Sequence, residues 1–290
     1  MLILILKAIF LGLIQGLTEF IPISSSAHLV LIPWLFNWTD PAITSLSFDV
    51  SLHIGTLAAV LIFFWRDWIT LIKSWFLSIK ERKIGADPDR KLAWYVVLGC
   101  IPGGIAGVLF ESKIDDWFHS PGQPISQLAI LVMAAIIVLL ALLLLAADKT
   151  ARHTRDMKEM KFKDALLISV AQAFAIFPGV SRSGSTITAG LALGLKRESA
   201  ARFSFLLGAP IIFGAGLKSV WDLIQNAQAG TGFTGSELML FPIGMIVAGV
   251  SGFFCIKYLL KYLQSHNTDV FVFYRFGLAL LIAVVALIRG

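Results

Sequence analysis

Six stretches, at roughly 46–65, 92–110, 123–147, 203–222, 237–257 and 270–289, are apolar throughout most of their length. Each comes near the about 17–25 residues that a helix needs to cross a bilayer. In hydrocarbon every backbone N–H and C=O must be bonded internally, so a chain with six such runs has only helices or a closed barrel open to it. The runs lack the alternation of barrel strands, which leaves an all-α, polytopic membrane protein with six transmembrane helices. Composition excludes a soluble domain: of 290 residues 57% are hydrophobic and only 14% charged. Trp34, Trp38, Trp65 and Trp68 sit near segment ends, as interfacial aromatics do.

Two further apolar regions are interrupted. Residues 2–17 and 27–36 are half-length pieces separated by Glu19, Pro22 and the run Ser24, Ser25, Ser26. Between 164 and 195 a second pair is split by Pro178-Gly179-Val180-Ser181-Arg182-Ser183-Gly184-Ser185-Thr186. Half-length helices joined by a polar bend predict two re-entrant helical hairpins. Lys7 inside the first apolar piece, with Glu19 and Pro22 after it and no small-residue cleavage pattern, argues against a cleavable signal peptide.

Loop charge sets the orientation. The loop after the first span carries Arg66, Lys73, Lys80, Arg82, Lys83, Arg90 and Lys91, and 148–163 carries Lys149, Arg152, Arg155, Lys158 and Lys161. The connection at 111–122 is acidic, with Glu111, Asp115 and Asp116, and 223–236 has no basic residue. Basic loops belong on the cytoplasmic side, which puts both termini outside. The net charge of +6 therefore reports membrane topology, with no nucleic-acid partner implied. Cys100 and Cys255 lie singly in apolar segments and read as buried hydrophobes, with neither a disulfide nor a zinc spacing.

At an offset of 157, Ala8, Gln15, Phe20, Ser24 and Ser26 fall on Ala165, Gln172, Phe177, Ser181 and Ser183. The first hairpin enters from outside and the second from inside, each followed by three spans. That pattern predicts an inverted 3+3 repeat within one membrane domain: 1–147, a cytoplasmic linker at 148–163, then 164–290. Such repeats bring their polar bends together near the midplane.

Arg182 is costly at bilayer depth, so it should face a cavity and an anion. Ser181, Ser183, Ser185 and Thr186 supply hydroxyls beside it. A half-helix from Thr186 to Leu195 would add the positive end of its dipole, and the set suits phosphate. A structural ion pair is the plainer alternative. In the first bend, one of Ser24, Ser25 and Ser26 is expected to be an N-cap. A serine near His28 and Glu19 also permits an activated nucleophile, or His28 can protonate a leaving group. His53 reads as a packed histidine. Arg66–Lys91 reads as an amphipathic, headgroup-facing segment, and Asp148 as part of an ordinary linker.

Gln15-x-x-x-Glu19, the Ser-Ser-Ser-Ala-His run ending at His28, and the Pro178–Thr186 stretch together resemble the undecaprenyl-diphosphate phosphatase (bacitracin-resistance) family. Phe48–Arg66, Phe203–Leu207 and Tyr274-Arg275-Phe276 extend the resemblance over nearly the whole chain. It implies hydrolysis of undecaprenyl diphosphate to the monophosphate and phosphate, recycling the carrier lipid of the bacterial inner membrane at a site open to the extracytoplasmic side. By position, Glu19 and Gln15 match the acidic motif, Ser25 the proposed nucleophile, and His28 the essential histidine. Ser181, Arg182 and Thr186 match the phosphate-binding motif, with Ser24, Ser26 and Ser183 as neighbouring donors. The resemblance implies stimulation by Mg²⁺ or Ca²⁺. Glu19 is the one obvious protein ligand, and the substrate diphosphate would hold most of the ion. Gln15 stands where the family also uses glutamate, which disfavours a two-carboxylate mechanism. The competing classes are a transporter or flippase of polyprenyl phosphates and a structural scaffold. A monomer and a homodimer are both open.

Overall fold

The computed structural model describes residues 1–118, 125–228 and 235–289. The outer connections expected at 111–122 and 223–236 therefore lie partly outside the described residues. Among these residues the chain is helical, with no named strand. In order the helices are α1 (Leu2–Thr18), α2 (Ser25–Phe36), α3 (Pro41–Thr44), α4 (Leu46–Phe63), α5 (Trp65–Lys80), α6 (Pro88–Phe118) and α7 (Gln127–Thr150). There follow α8 (Phe162–Ala173), α9 (Arg182–Ala192), α10 (Arg197–Gln228), α11 (Gly235–Leu238), α12 (Leu240–Leu263) and α13 (Asp269–Arg289). Six of them, α4, α6, α7, α10, α12 and α13, are long and apolar enough to cross a membrane.

Short polar side chains set where these helices begin. Ser45 caps α4 by accepting from the Phe48 N–H, and Ser126 caps α7 by accepting from Ala129. The two interrupted pairs start their second halves identically. Ser24 caps α2 by accepting from the Ala27 N–H, and Ser181 caps α9 by accepting from Gly184. Each capping hydroxyl also lies 3.3 Å from the serine two residues on, Ser26 and Ser183. These are the residues that align at the 157-residue offset. The capping corrects one expectation: α9 begins at Arg182 rather than Thr186, because Ser181 ends the bend four residues earlier.

Both halves of the chain run as a pair of short helices followed by three long ones, and the packing follows the same exchange. α1 packs on α12 as α8 packs on α6, and α4 packs on α12 as α10 packs on α6. α4 with α10, and α7 with α13, pair each element with its own counterpart. Phe20, fully buried at the first bend, meets the ring of Phe205 edge-on at 5.1 Å and so anchors that bend to α10. Large apolar side chains such as Val108, Leu280 and Ile288 remain exposed on the outward faces, as lipid contact requires.

The basic loops lie together on one face, tied by ion pairs. Lys158 reaches Asp89 at 3.0 Å, Lys149 reaches Asp269 at 2.7 Å, and Arg202 reaches Asp67 at 2.8 Å. Asp148 is more than a linker residue. It is buried, accepts from Arg197 Nε at 2.6 Å and from the Thr268 N–H and hydroxyl at 2.9 and 3.0 Å, and lies near His153. It fastens α7, α10 and the start of α13 at that face. Tight helix approach elsewhere rests on glycine. A Cβ at Gly55 would overlap the Met245 carbonyl of α12, whereas Gly104 of α6 has open space. Gly55→Ala should therefore lower stability by about 1–3 kcal/mol by overpacking. Gly104→Ala should change it by less than about 0.5 kcal/mol. Thermal denaturation in detergent reads both.

Candidate active site

The two bends meet. The first, Glu19–Ser24, joins α1 to α2, and the second, Phe177–Ser181, joins a short 3₁₀ turn after α8 to α9. Ser24 holds a left-handed conformation at φ 76, and Gly179 takes φ 99, which only glycine adopts freely. A non-glycine residue in that region costs about 1 kcal/mol or more. Here it turns the chain so that Ser25 becomes the first residue of α2, just as Arg182 is the first of α9. The two half-helix N-termini, each the positive end of a helix dipole, thus present Ser25 and Arg182 to the same carboxylate.

That carboxylate is Glu19, 4% exposed. Its Oε2 accepts from Ser25 Oγ at 2.6 Å and from Gln15 Nε2 at 3.0 Å, with His53 Nε2 at 3.4 Å. Its Oε1 accepts from Arg182 Nη2 at 2.7 Å, and the other terminal nitrogen, Nη1, donates to the Ser204 carbonyl at 3.0 Å. A buried carboxylate is tolerated only when paired and hydrogen-bonded, and both conditions are met. A serine hydroxyl at 2.6 Å from a carboxylate held by a guanidinium has the geometry that activation of a nucleophile requires.

The remaining expected residues divide. Ser183 Oγ donates to the Ile21 carbonyl at 3.2 Å, stitching the bends, while Ser24 and Ser181 act as caps. Ser26 lies beside Ser24. Thr186 stands one turn inside α9, where its hydroxyl bonds the Arg182 carbonyl at 2.8 Å and Ser204 Oγ at 2.7 Å. Both ring nitrogens of His28 bond groups other than the carboxylate. Its Nδ1 meets the Ser24 carbonyl and its Nε2 the Tyr274 hydroxyl, both at 2.7 Å.

Residues 8–281 match the family described as Bacitracin resistance protein BacA. The chain belongs to this family. The undecaprenyl-diphosphatase of Thermomicrobium roseum is 43% identical over 279 residues, which is 96% of this chain and 97% of that one. The undecaprenyl-diphosphatase of Moorella thermoacetica is 43% identical over 285 residues, 98% of this chain and 99% of its own. That of Caldicellulosiruptor bescii is 41% identical, with 98% of each chain covered. The family match spans both bends and reaches into α13.

Within this BacA-family frame, the described residues of the site do not by themselves fit a resident divalent cation. Among the described residues no group of three or more His, Cys, Asp or Glu could hold a metal. Glu19, the one carboxylate of the site, has its oxygens committed to Arg182, Ser25 and Gln15. The structure also adds residues that pattern alone did not select. His53 had read as packing, yet it lies against Glu19 with its Nδ1 on the Asp49 carbonyl at 2.8 Å. Ser204, Gly208, Tyr274 and Arg275 come from α10 and α13; the resemblance covered all but Gly208 of these, yet single polar or small residues in apolar runs gave no role to any of them. Gly208 is needed for the site because a Cβ there would overlap the Arg182 guanidinium. Gly208→Ala should lower the melting temperature of the wild type and have little effect in an Arg182→Ala background. That non-additivity, read by thermal denaturation of the single and double variants, is the signature of a shared contact.

Proposed function

We propose that the chain is an integral membrane phosphatase that hydrolyses undecaprenyl diphosphate to undecaprenyl phosphate and inorganic phosphate. Ser25 Oγ, 2.6 Å from a Glu19 carboxylate that Arg182 holds from the other side, is the observation that carries this reading. Family membership supplies the lipid: the relatives are named undecaprenyl-diphosphatases. Such an enzyme would serve cell-wall carrier recycling and bacitracin resistance.

In the mechanism, Ser25 Oγ attacks the terminal phosphorus and passes its proton to Glu19. The bond from that phosphorus to the bridging oxygen breaks, and undecaprenyl phosphate leaves with the bridging electrons. Glu19 gives that proton to the departing monophosphate; water then attacks the phosphoserine as Glu19 takes its proton, the bond from phosphorus to Ser25 Oγ breaks, and Glu19 returns the proton to Oγ as phosphate is released. Arg182 keeps Glu19 ionised and in place, and with the N-termini of α2 and α9 it stabilises charge on the transferring group. His28 orients the first bend through the Ser24 carbonyl, a positioning role rather than proton donation. A divalent cation, where one takes part, would arrive on the diphosphate and is assigned no step.

We further infer that the two halves form an inverted repeat about an axis in the membrane plane, with both short-helix pairs re-entrant. The exchanged packing pairs and the matched Ser24 and Ser181 caps support this. The basic face would lie in the cytoplasm of a bacterial inner membrane, by the bias of positive charge, and the site would open to the other side. The transport reading explains the repeat but not a serine held on a carboxylate.

Purified protein in detergent, given undecaprenyl diphosphate, should release phosphate. Ser25→Ala and Arg182→Ala should each cut turnover by about 10²–10³-fold or more, and Glu19→Gln by about 10²–10⁴-fold, all three eluting as folded protein. Near-normal turnover of Arg182→Ala would remove it from the site. Movement of the lipid across vesicles without phosphate release would favour the carrier.

A further inference from the structure

Arg275 is the largest fully buried side chain in the described protein, at 1% exposure. It projects from the second turn of α13, a helix that otherwise packs on α7. Its Nε donates to the Pro22 carbonyl of the first bend at 2.5 Å. Its Nη1 and Nη2 are buried and have no hydrogen-bond partner among the described residues. Nη2 lies against Gly184 in the first turn of α9, so closely that a Cβ there would overlap it and would also come within 3.0 Å of Ser181 Oγ.

This placement is electrostatically adverse as it stands. Two unpartnered guanidinium nitrogens are held away from water, against the positive end of a helix. Arg182 is in the opposite condition, with one terminal nitrogen on Glu19 and the other on the Ser204 carbonyl. The site therefore holds one buried carboxylate and two guanidiniums, and the charge left over belongs to Arg275. A guanidinium fork aimed at a helix N-terminus with a serine hydroxyl alongside suits a phosphate oxygen.

We propose that Arg275 is the cation that binds the diphosphate group of the lipid. Its two free nitrogens and the first turn of α9 take phosphate oxygens, while Arg182 serves chiefly to hold Glu19. The proposal rests on the phosphatase reading for the identity of the lipid, but the anion site stands on the geometry alone. Gly184 belongs to the same site, since it gives the guanidinium its room. The neighbouring Tyr274, bonded to His28, fixes that turn of α13 against the first turn of α2.

The test uses the full-length protein in detergent, with methylene diphosphonate as a non-hydrolysable probe of binding and undecaprenyl diphosphate as substrate. The diphosphonate should raise the melting temperature of the wild type, and inorganic phosphate should do so more weakly. Arg275→Lys keeps the charge but loses the fork. It should bind the diphosphonate about tenfold or more weakly and raise KM by a similar factor, with a smaller change in kcat. Arg182→Lys should show the reverse split, losing kcat with diphosphonate binding largely kept. Should Arg275→Lys fail to fold, Gly184→Ala, which crowds Nη2, should give the same weakened binding and raised KM. A folded Arg275→Lys or Gly184→Ala with wild-type diphosphonate affinity and KM would overturn the proposal and leave Arg275 a clamp on Pro22. Arginine-dependent diphosphonate binding by a protein that releases no phosphate from the lipid would uphold the anion site and sink the phosphatase reading instead.

Discussion

The ion pair between Glu19 and Arg182 is the constraint around which the rest of the structure is arranged. Each charge is costly alone in a membrane interior, and each belongs to a different half of the chain. Their meeting forces the two bends together and fixes α2 and α9 with their N-terminal ends toward one point. It also requires Gly208 on α10 to be small and the Ser204 carbonyl to accept the second guanidinium nitrogen. Phe20, next to Glu19, seals the junction against Phe205. Fold and site are thus parts of one solution to the burial of two charges.

The two bends are built alike. Ser25 and Arg182 occupy equivalent positions, each the first residue of a half-helix capped by the preceding serine. One bend offers a hydroxyl and the other a guanidinium to the same carboxylate, so the two are alike in capping and different in chemistry. Glu19 has Ile176 as its counterpart at the same offset, which leaves a single acid at the centre. The counterpart of Gln15 is Gln172. It is buried with neither end of its amide bonded among the described residues, whereas Gln15 donates to Glu19.

Much of this was legible in the sequence, for a physical reason. Apolar runs of membrane length admit helices alone, and polar residues interrupting such runs mark bends. Glu19 and Arg182 therefore stood out before any coordinates, while Ser25 was set apart from Ser24 and Ser26 only by the family resemblance. The start of α9 did not, because a serine cap and a glycine bend compete for the same few residues, and Ser181 ended the bend earlier than composition suggested. His53 read as packing, and Arg275 entered only as part of the family resemblance with no role, because each is a lone polar residue within an apolar span. Their importance lies in what they face across the bundle, His53 toward Glu19 and Arg275 toward Gly184. Asp148 likewise looked like loop charge until Arg197 and Thr268 closed around it.

The claim that the two bends make one hydrolytic site built on Ser25 is tested most directly by rapid acid quench during turnover of undecaprenyl diphosphate carrying a labelled terminal phosphate. Mass spectrometry of the first-bend peptide should find phosphoserine at Ser25 that appears before free phosphate and disappears in a chase. Steady phosphate release with no label on Ser25 at any quench time, or label elsewhere that survives Ser25→Ala, would contradict it.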